Sequence, residues 1–148
     1  MLVIADASVL VHALTKFDEE GDRLRAWLVE LTAGQQLEIL RNSTRLEFLG
    51  ALRWLCDVGD LPSQLAERAM RDYVGIPARH HDITQPMAVR IWELRRILSA
   101  PEAAYVALAE RLHSEAGAAD GALLATTDSR FAAMPSLSVQ IALFDNAA

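Results

Sequence analysis

The chain has 148 residues, of which 52% are hydrophobic and 23% charged, a composition typical of one globular domain over residues 1–148 with a substantial core. No apolar run approaches the roughly 20 residues of a membrane span, the N-terminus lacks the basic segment of a signal peptide, and the single Cys56 excludes a disulfide framework and a cysteine-rich zinc site, so we expect a cytoplasmic protein. The net charge of −6 argues against a generic nucleic-acid coat, but not against a nuclease, because bound cations offset an acidic metal site.

Hydrophobic periodicity and turn residues predict strands that alternate with helices. In chain order these are a strand at Leu2–Ala5, a helix at Ala7–Lys16, a turn at Phe17–Asp22, a helix at Arg23–Leu31, a strand at Leu37–Leu40, a helix from a cap at Asn42 or Ser43 to about Val58, a helix from Pro62 to Val74, a short strand within Ile76–Asp82, a helix at Met87–Leu98, a helix from Ser99 to about Ser114, a loop at Gly117–Gly121, a strand at Ala122–Ala125, a short helix after Asp128 and a strand at Val139–Phe144. This alternation predicts a parallel sheet with helices on both faces.

Two aspartates follow predicted buried strands at the point where a helix begins. Asp6 follows the strand Leu2–Ala5, and Asp128 follows the strand Ala122–Ala125 after two threonines. Open α/β sheets bind their ligands at the carboxyl ends of strands, so both aspartates are candidate site residues. The alternative is that each aspartate only caps the helix that follows it.

Two glutamates lie on apolar faces of predicted helices. Glu47 shares its face with Gly50, Ala51 and Trp54. If this face is buried, the charge of Glu47 must be paired or metal-bound, because an isolated buried charge is costly. The alternative is that Glu47 lies at the exposed edge of the apolar face. Glu102 shares its face with apolar residues of its own helix. The spacing from Ser99 to Glu102 also matches a capping box, and capping is compatible with binding a metal.

The adjacent pair His80–His81 is the other candidate for a metal site. Adjacent residues on a strand point to opposite faces, so the two imidazoles would not bind one ion. We interpret them as surface or turn residues.

Four segments in order resemble the PIN domain, and more narrowly the VapC toxins of bacterial toxin–antitoxin pairs. They are LVIADASVLV from Leu2, LEFLGALRWL from Leu46, IWELRRILSAPEAAYVALAERL from Ile91 and LLATTDSRF from Leu123. The resemblance implies a three-layer α/β/α domain with a four- or five-stranded, mainly parallel sheet. It also implies a ribonuclease dependent on Mg²⁺ or Mn²⁺, and hard oxygen ligands suit those ions.

The resemblance also assigns roles to individual residues. The catalytic acids would be Asp6, Glu47, Glu102 and Asp128; Asp6, Glu102 and Asp128 would hold the metal; and Ser8 and Thr126 would support the site. The chain departs from the family pattern at three positions: Glu102 stands where the family has aspartate, Pro101 replaces an aromatic residue, and Gly50 replaces an asparagine.

The partners implied are an RNA substrate, an antitoxin protein, a second copy of the chain in a homodimer, and a toxin–antitoxin hetero-oligomer. The helices carry more apolar surface than packing against one sheet requires, and we expect an antitoxin segment to dock there. This surface should include Leu24, Trp27 and Leu28, with Leu65 and Met70 of the fourth helix. Two other functions remain open: a PIN-like RNA- or antitoxin-binding module with weak or lost catalysis, and an unrelated phospho-acceptor domain. The second of these expects a lysine near the acids, and the single lysine, Lys16, argues against it.

Overall fold

The computed structural model describes residues 1–134 and 140–144 and consists of alternating strands and helices. The elements are β1 (Leu2–Ala5), α1 (Ala7–Thr15), α2 (Glu19–Ala33), β2 (Leu37–Leu40), α3 (Arg41–Asp57), α4 (Ser63–Val74), β3 (Arg79–His81), α5 (Gln85–Glu93), α6 (Ala100–Asp120), β4 (Ala122–Thr126), α7 (Ser129–Ala132) and β5 (Gln140–Leu143). The predicted final strand included Val139, which lies outside the described residues.

All five strands form one parallel sheet in the order β3-β2-β1-β4-β5. The central strand β1 is paired with β2 on one side and with β4 on the other, so the strand order reverses direction between β1 and β4. The carboxyl ends of β1 and β4 therefore form the topological switch point, where parallel α/β sheets bind their ligands.

Helices cover both faces of the sheet, as the three-layer prediction requires. Val3 and Ala5 of β1 face one core, which they share with residues of α1 to α4. Ile4 faces the opposite core, together with residues of α5, α6 and α7. β1 is thus buried on both faces, which explains its continuous apolar sequence. The predicted α/β class and the parallel sheet are confirmed.

Three helix boundaries differ from the prediction. α2 begins at Glu19, because Asp18 accepts a hydrogen bond from the Gly21 N–H and caps a helix whose first turn is acidic, where the helix dipole favours negative charge. α3 begins at Arg41 directly after β2, without the predicted side-chain cap from Asn42 or Ser43. α5 ends at Glu93, five residues before the predicted end, and the chain then turns.

The end of α6 and the histidine pair also correct the prediction. α6 reaches Asp120 but is broken at Gly117, whose φ of 77° and ψ of 166° suit glycine alone. His80 and His81 lie in β3 and are half-buried, so they are not turn residues. His81 contacts the carboxylate of Glu38, which is fully buried in β2 and also bonded by Arg79.

The apolar helix surface proposed for a partner is only partly exposed. Leu24 and Leu28 are buried in the core, and the ring of Trp27 packs 4.6 Å from that of Phe144. Met70 remains exposed on α4. The prediction was wrong for the two leucines, because the face of α2 that carries them packs against α1. Within residues 1–134 and 140–144, none of the helices combines the length and the hydropathy needed to cross a membrane.

Candidate active site

Asp6 is a buried carboxylate at the switch point. It directly follows β1, is 7% exposed, and caps α1 by accepting a hydrogen bond from the Val9 N–H at 3.2 Å. Burial raises the pKa of Asp6, while hydrogen bonds with the Ser8 and Thr126 side chains favour the charged form. A capping carboxylate keeps a second oxygen that can bind a ligand, so the observed cap is compatible with a site role for Asp6.

Glu47 lies on the second turn of α3 and faces Asp6. One of its carboxylate oxygens accepts a hydrogen bond from the Tyr105 hydroxyl at 2.8 Å. Burial raises the pKa of Glu47, and the charges of Asp6 and Glu102 raise it further. Glu47 therefore lies close enough to both Asp6 and Glu102 for their negative charges to disfavour its ionised form.

Glu102 lies in the first turn of α6, and the predicted capping box is confirmed. The Ser99 side chain accepts a hydrogen bond from the Glu102 N–H at 3.3 Å, and the Glu102 carboxylate accepts one from the Ser99 N–H at 2.9 Å. The cap fixes the orientation of a carboxylate that also contributes to the negative charge around Glu47.

Asp128 caps α7 and is engaged by an arginine. It accepts hydrogen bonds from the N–H groups of Arg130, at 2.9 Å, and Phe131, and its second oxygen pairs with the Arg130 guanidinium at 3.3 Å. Burial opposes the ionised form, but the hydrogen bonds from Arg130 and Phe131 hold the pKa of Asp128 below its usual value. Asp128 follows β4, which pairs in parallel with β1, so Asp128 and Asp6 lie at the same edge of the sheet.

Ser8 and Thr126 join the two turns that carry the aspartates. The Ser8 hydroxyl donates to Asp6 and accepts a hydrogen bond from the Thr127 N–H at 3.0 Å. Thr126, which is fully buried, accepts one from the Asp128 N–H at 3.0 Å. These contacts tie the turn after β1 to the turn after β4.

The Tyr105 hydroxyl links Glu47 and Thr44 of α3 to the start of α1, and nothing in the sequence singles this residue out. Its hydroxyl accepts a hydrogen bond from the Ala7 N–H at 3.3 Å and lies 3.0 Å from the Thr44 hydroxyl. Because the single phenolic proton is donated to Glu47, Thr44 acts as the donor in the second contact. Burial and the Glu47 charge raise the pKa of Tyr105, which therefore stays protonated. The sequence shows only a tyrosine on an apolar helix face, three residues after Glu102.

The donors at this edge fit a hard divalent cation, although they are not gathered into a preformed cage. Within the two described ranges, no three histidine, cysteine, aspartate or glutamate side chains lie close enough to hold one ion. Mg²⁺ commonly binds through one or two carboxylates and several waters. Asp6 is buried without a lysine or arginine partner in the described part of the chain, and a nearby cation would offset that cost.

Comparisons with known proteins identify the fold. No protein-family model matches the chain, and no curated protein matches it significantly. The solved structure of VapC20 from Mycobacterium tuberculosis, a Sarcin-Ricin loop cleaving toxin, is similar with a TM-score of 0.59 and 15% identity, over 87% of this chain and 92% of that one. VapBC2 from Rickettsia felis, bound to a DNA fragment from its promoter, has a TM-score of 0.62 and 14% identity, over 96% and 99% of the two chains. FitAB bound to an IR36 DNA fragment has a TM-score of 0.64 and 17% identity, over 97% and 95%. This chain therefore has the fold of VapC-like PIN domains.

Proposed function

We propose that this protein is a metal-dependent endoribonuclease and the cytoplasmic toxin of a toxin–antitoxin pair, with Mg²⁺ or Mn²⁺ as cofactor. The observation that carries the proposal is the buried carboxylate of Asp6 at the switch point, with Glu47 and Glu102 close enough to act on one another electrostatically. The fold adds support, because similar chains include a toxin that cleaves the Sarcin-Ricin loop and toxin proteins in VapBC2 and FitAB.

Each acid has a distinct role in this proposal. Asp6, Glu102 and Asp128 would hold the cation partly through bound water, because within the described residues no three such side chains lie close enough to bind one ion directly. The cation would supply positive charge that offsets the charge of the scissile phosphate and of the leaving oxygen. Glu47, held in one orientation by Tyr105, would complete the carboxylate cluster or orient the attacking water. Ser8 would keep the Asp6 carboxylate in place.

The direct test is RNA cleavage with and without Mn²⁺, with the acids replaced one at a time by their amides. We expect each of Asp6→Asn, Glu47→Gln, Glu102→Gln and Asp128→Asn to lower cleavage by about 100-fold, a barrier change of roughly 2.7 kcal/mol. Glu115→Gln is the matched control, because Glu115 lies on α6 with Glu102 but pairs with Arg111 at the surface. Cleavage that persists in all four variants would refute the assignment.

Glu102 allows a sharper test, because its site role and its capping role respond differently to substitution. Glu102→Asp keeps the charge and should keep cleavage within about tenfold, or improve it. Glu102→Gln keeps an acceptor for the Ser99 N–H, so the helix start should remain intact while cleavage is lost. A glutamine variant with unchanged metal-dependent cleavage would remove Glu102 from the site.

A second function, a PIN-like module that binds RNA or antitoxin with weak or lost catalysis, is favoured by one observation. One of the three proposed metal ligands already has a cationic partner, since Asp128 pairs with the Arg130 guanidinium. Under this alternative the protein binds RNA, yet divalent ions produce no cleavage. Arg130→Gln distinguishes the two, because freeing Asp128 should strengthen Mn²⁺ binding in a ribonuclease and should not affect a binding module.

The partner proposal is an antitoxin together with a homodimer. The similar VapBC2 and FitAB structures support an antitoxin partner. Light scattering on the protein alone and on the protein co-expressed with its neighbouring gene product tests both parts. A stable monomer under both conditions would exclude the homodimer and the hetero-oligomer.

A further inference from the structure

A groove runs from the carboxylates along the surface between α1 and α3. It encloses about 350 Å³, and its lining includes Ser8 and Thr127, which belong to the turns described above, and Glu47. Val11 and His12 of α1 line one side, and α3 forms the other, where Trp54 follows Glu47 by seven residues. Seven residues are two helical turns, so Trp54 lies ~10 Å along the helix from the proposed catalytic acid.

The indole of Trp54 is open to solvent beside this groove. It is 61% exposed, and within the described residues no aromatic ring or guanidinium stacks on it. Gly50 lies between Glu47 and Trp54, and a Cβ built on Gly50 would meet no atom within 4 Å. Gly50 therefore adds no side chain beside the groove, and Ala51, which lines it between the acid and the indole, adds only a methyl group.

Each of the other two tryptophans already has another side chain against its ring. Trp27 packs against Phe144, and the Arg95 guanidinium lies 4.4 Å from the centre of the Trp92 ring. Trp92 is 67% exposed and lies on α5, on the opposite face of the sheet. It is thus similar to Trp54 in exposure, but is separated from the carboxylates.

The chemistry of the groove suits a nucleobase. An exposed aromatic ring stacks on the π-face of any base, and this contact tolerates sequence variation. Thr127 in the same groove offers a hydrogen-bonding group to the polar edge of a base. Glu47 lines this groove and is also acted on by the charges of Asp6 and Glu102, so a phosphate held at the carboxylates would lie beside the groove.

We propose that this groove binds an unpaired nucleobase of the RNA substrate, stacked on Trp54 beside the scissile phosphate. The proposal rests on the ribonuclease function proposed above and specifies its substrate. Bases within a duplex are stacked on one another, so the site selects single-stranded or looped RNA. Stacking on one aromatic ring makes the selection depend on strandedness more than on sequence.

The first experiment measures cleavage of a short single-stranded oligoribonucleotide by Trp54→Ala and by the control Trp92→Ala. We expect Trp54→Ala to raise KM by about 5- to 100-fold, the range that stacking of one base gives, with kcat changed much less. Trp92→Ala should stay within about twofold of the wild type. Trp54→Phe keeps a π-face and should recover much of the affinity, whereas Trp54→Leu keeps apolar bulk and should not.

The second experiment pairs the protein variants with abasic nucleotides placed at each position of the oligonucleotide. One abasic position should weaken binding to the wild type and should have no further effect on Trp54→Ala, because the same contact is then already lost. If both changes weaken binding independently, Trp54 does not contact that base and the proposal is overturned.

The outcomes separate this inference from the proposed function. If the wild type does not cleave RNA but binds the labelled oligonucleotide with an affinity that depends on Trp54, the ribonuclease proposal fails and the base-binding inference stands. If the wild type cleaves RNA and Trp54→Ala cleaves it with unchanged KM, the inference fails alone. A change in molar mass of Trp54→Ala by light scattering would instead assign this face to a protein interface and overturn it.

Discussion

Replacing Tyr105 by phenylalanine should destabilise the protein far more than the loss of one oxygen atom suggests. The hydroxyl contacts the Ala7 N–H at the start of α1, and the Thr44 hydroxyl and the Glu47 carboxylate of α3. Thr44 is fully buried and Ala7 nearly so, so the substitution leaves two buried donors without this acceptor. Each such group costs about 1–3 kcal/mol, and we expect a total loss of about 2–4 kcal/mol.

The chain offers a matched control in Tyr73. This side chain is 5% exposed and stacks on Phe48 with ring centres 4.5 Å apart, but its buried hydroxyl has no hydrogen-bond partner among residues 1–134 and 140–144. Tyr73→Phe keeps the stacked ring and removes an unsatisfied polar group. Its stability should be unchanged or increase by up to about 1 kcal/mol.

Urea denaturation of the wild type and both variants measures these differences. A loss of about 3 kcal/mol corresponds to a fall in melting temperature of roughly 6–12 °C for a chain of this size. Equal destabilisation by the two substitutions, or no effect of Tyr105→Phe, would refute the reasoning. Either result would mean that the Tyr105 hydroxyl does not satisfy buried donors.

Three further predictions concern the stability effects of the Asp6 carboxylate and its metal, of Gly50 in α3 and of the buried Glu38. Burial raises the pKa of Asp6 above 3.8, so its favourable contribution to folding is present below about pH 3.8 and is lost as pH rises through the folded pKa. Without metal, Asp6→Asn should therefore be more stable than the wild type at pH 7 but not below about pH 4. Mn²⁺ at ten times its dissociation constant should add roughly 1.4 kcal/mol to the wild type and nothing to Asp6→Asn, as measured by melting temperature. Gly50→Ala should stabilise α3 by about 0.5–1 kcal/mol in urea denaturation, because nothing obstructs its Cβ, whereas Gly59→Ala, at φ +81°, should destabilise. Glu38→Ala should cost about 2–4 kcal/mol by the same method, because it removes a fully buried, doubly bonded side chain, whereas Glu93→Ala at the surface should cost less than about 1 kcal/mol.

The helix starts show which features the sequence could predict. The capping box of Ser99 and Glu102 is a contact between residues three apart, and the structure contains it as predicted. Asp18 caps α2 by the same kind of contact, although the acidic run Phe17–Asp22 predicts a turn there. Local signals predict an element well when one interpretation dominates, and less well when a cap and a turn share the same residues.

The sequence alone determined the order of strands and helices, the buried character of β1 and the positions of Asp6 and Asp128 after their strands. Those features depend on hydrogen bonds and side-chain periodicity within a few residues. Only the tertiary structure placed the Tyr105 hydroxyl against Glu47, 58 residues away, and against Ala7, 98 residues away. Only the tertiary structure likewise buried Glu38 between Arg79 and His81 across the β2–β3 pair. The physical reason is that a polar residue on an apolar face has the same local sequence pattern whether it is exposed at an edge or buried with a partner. The partner is brought to it only when the two elements pack.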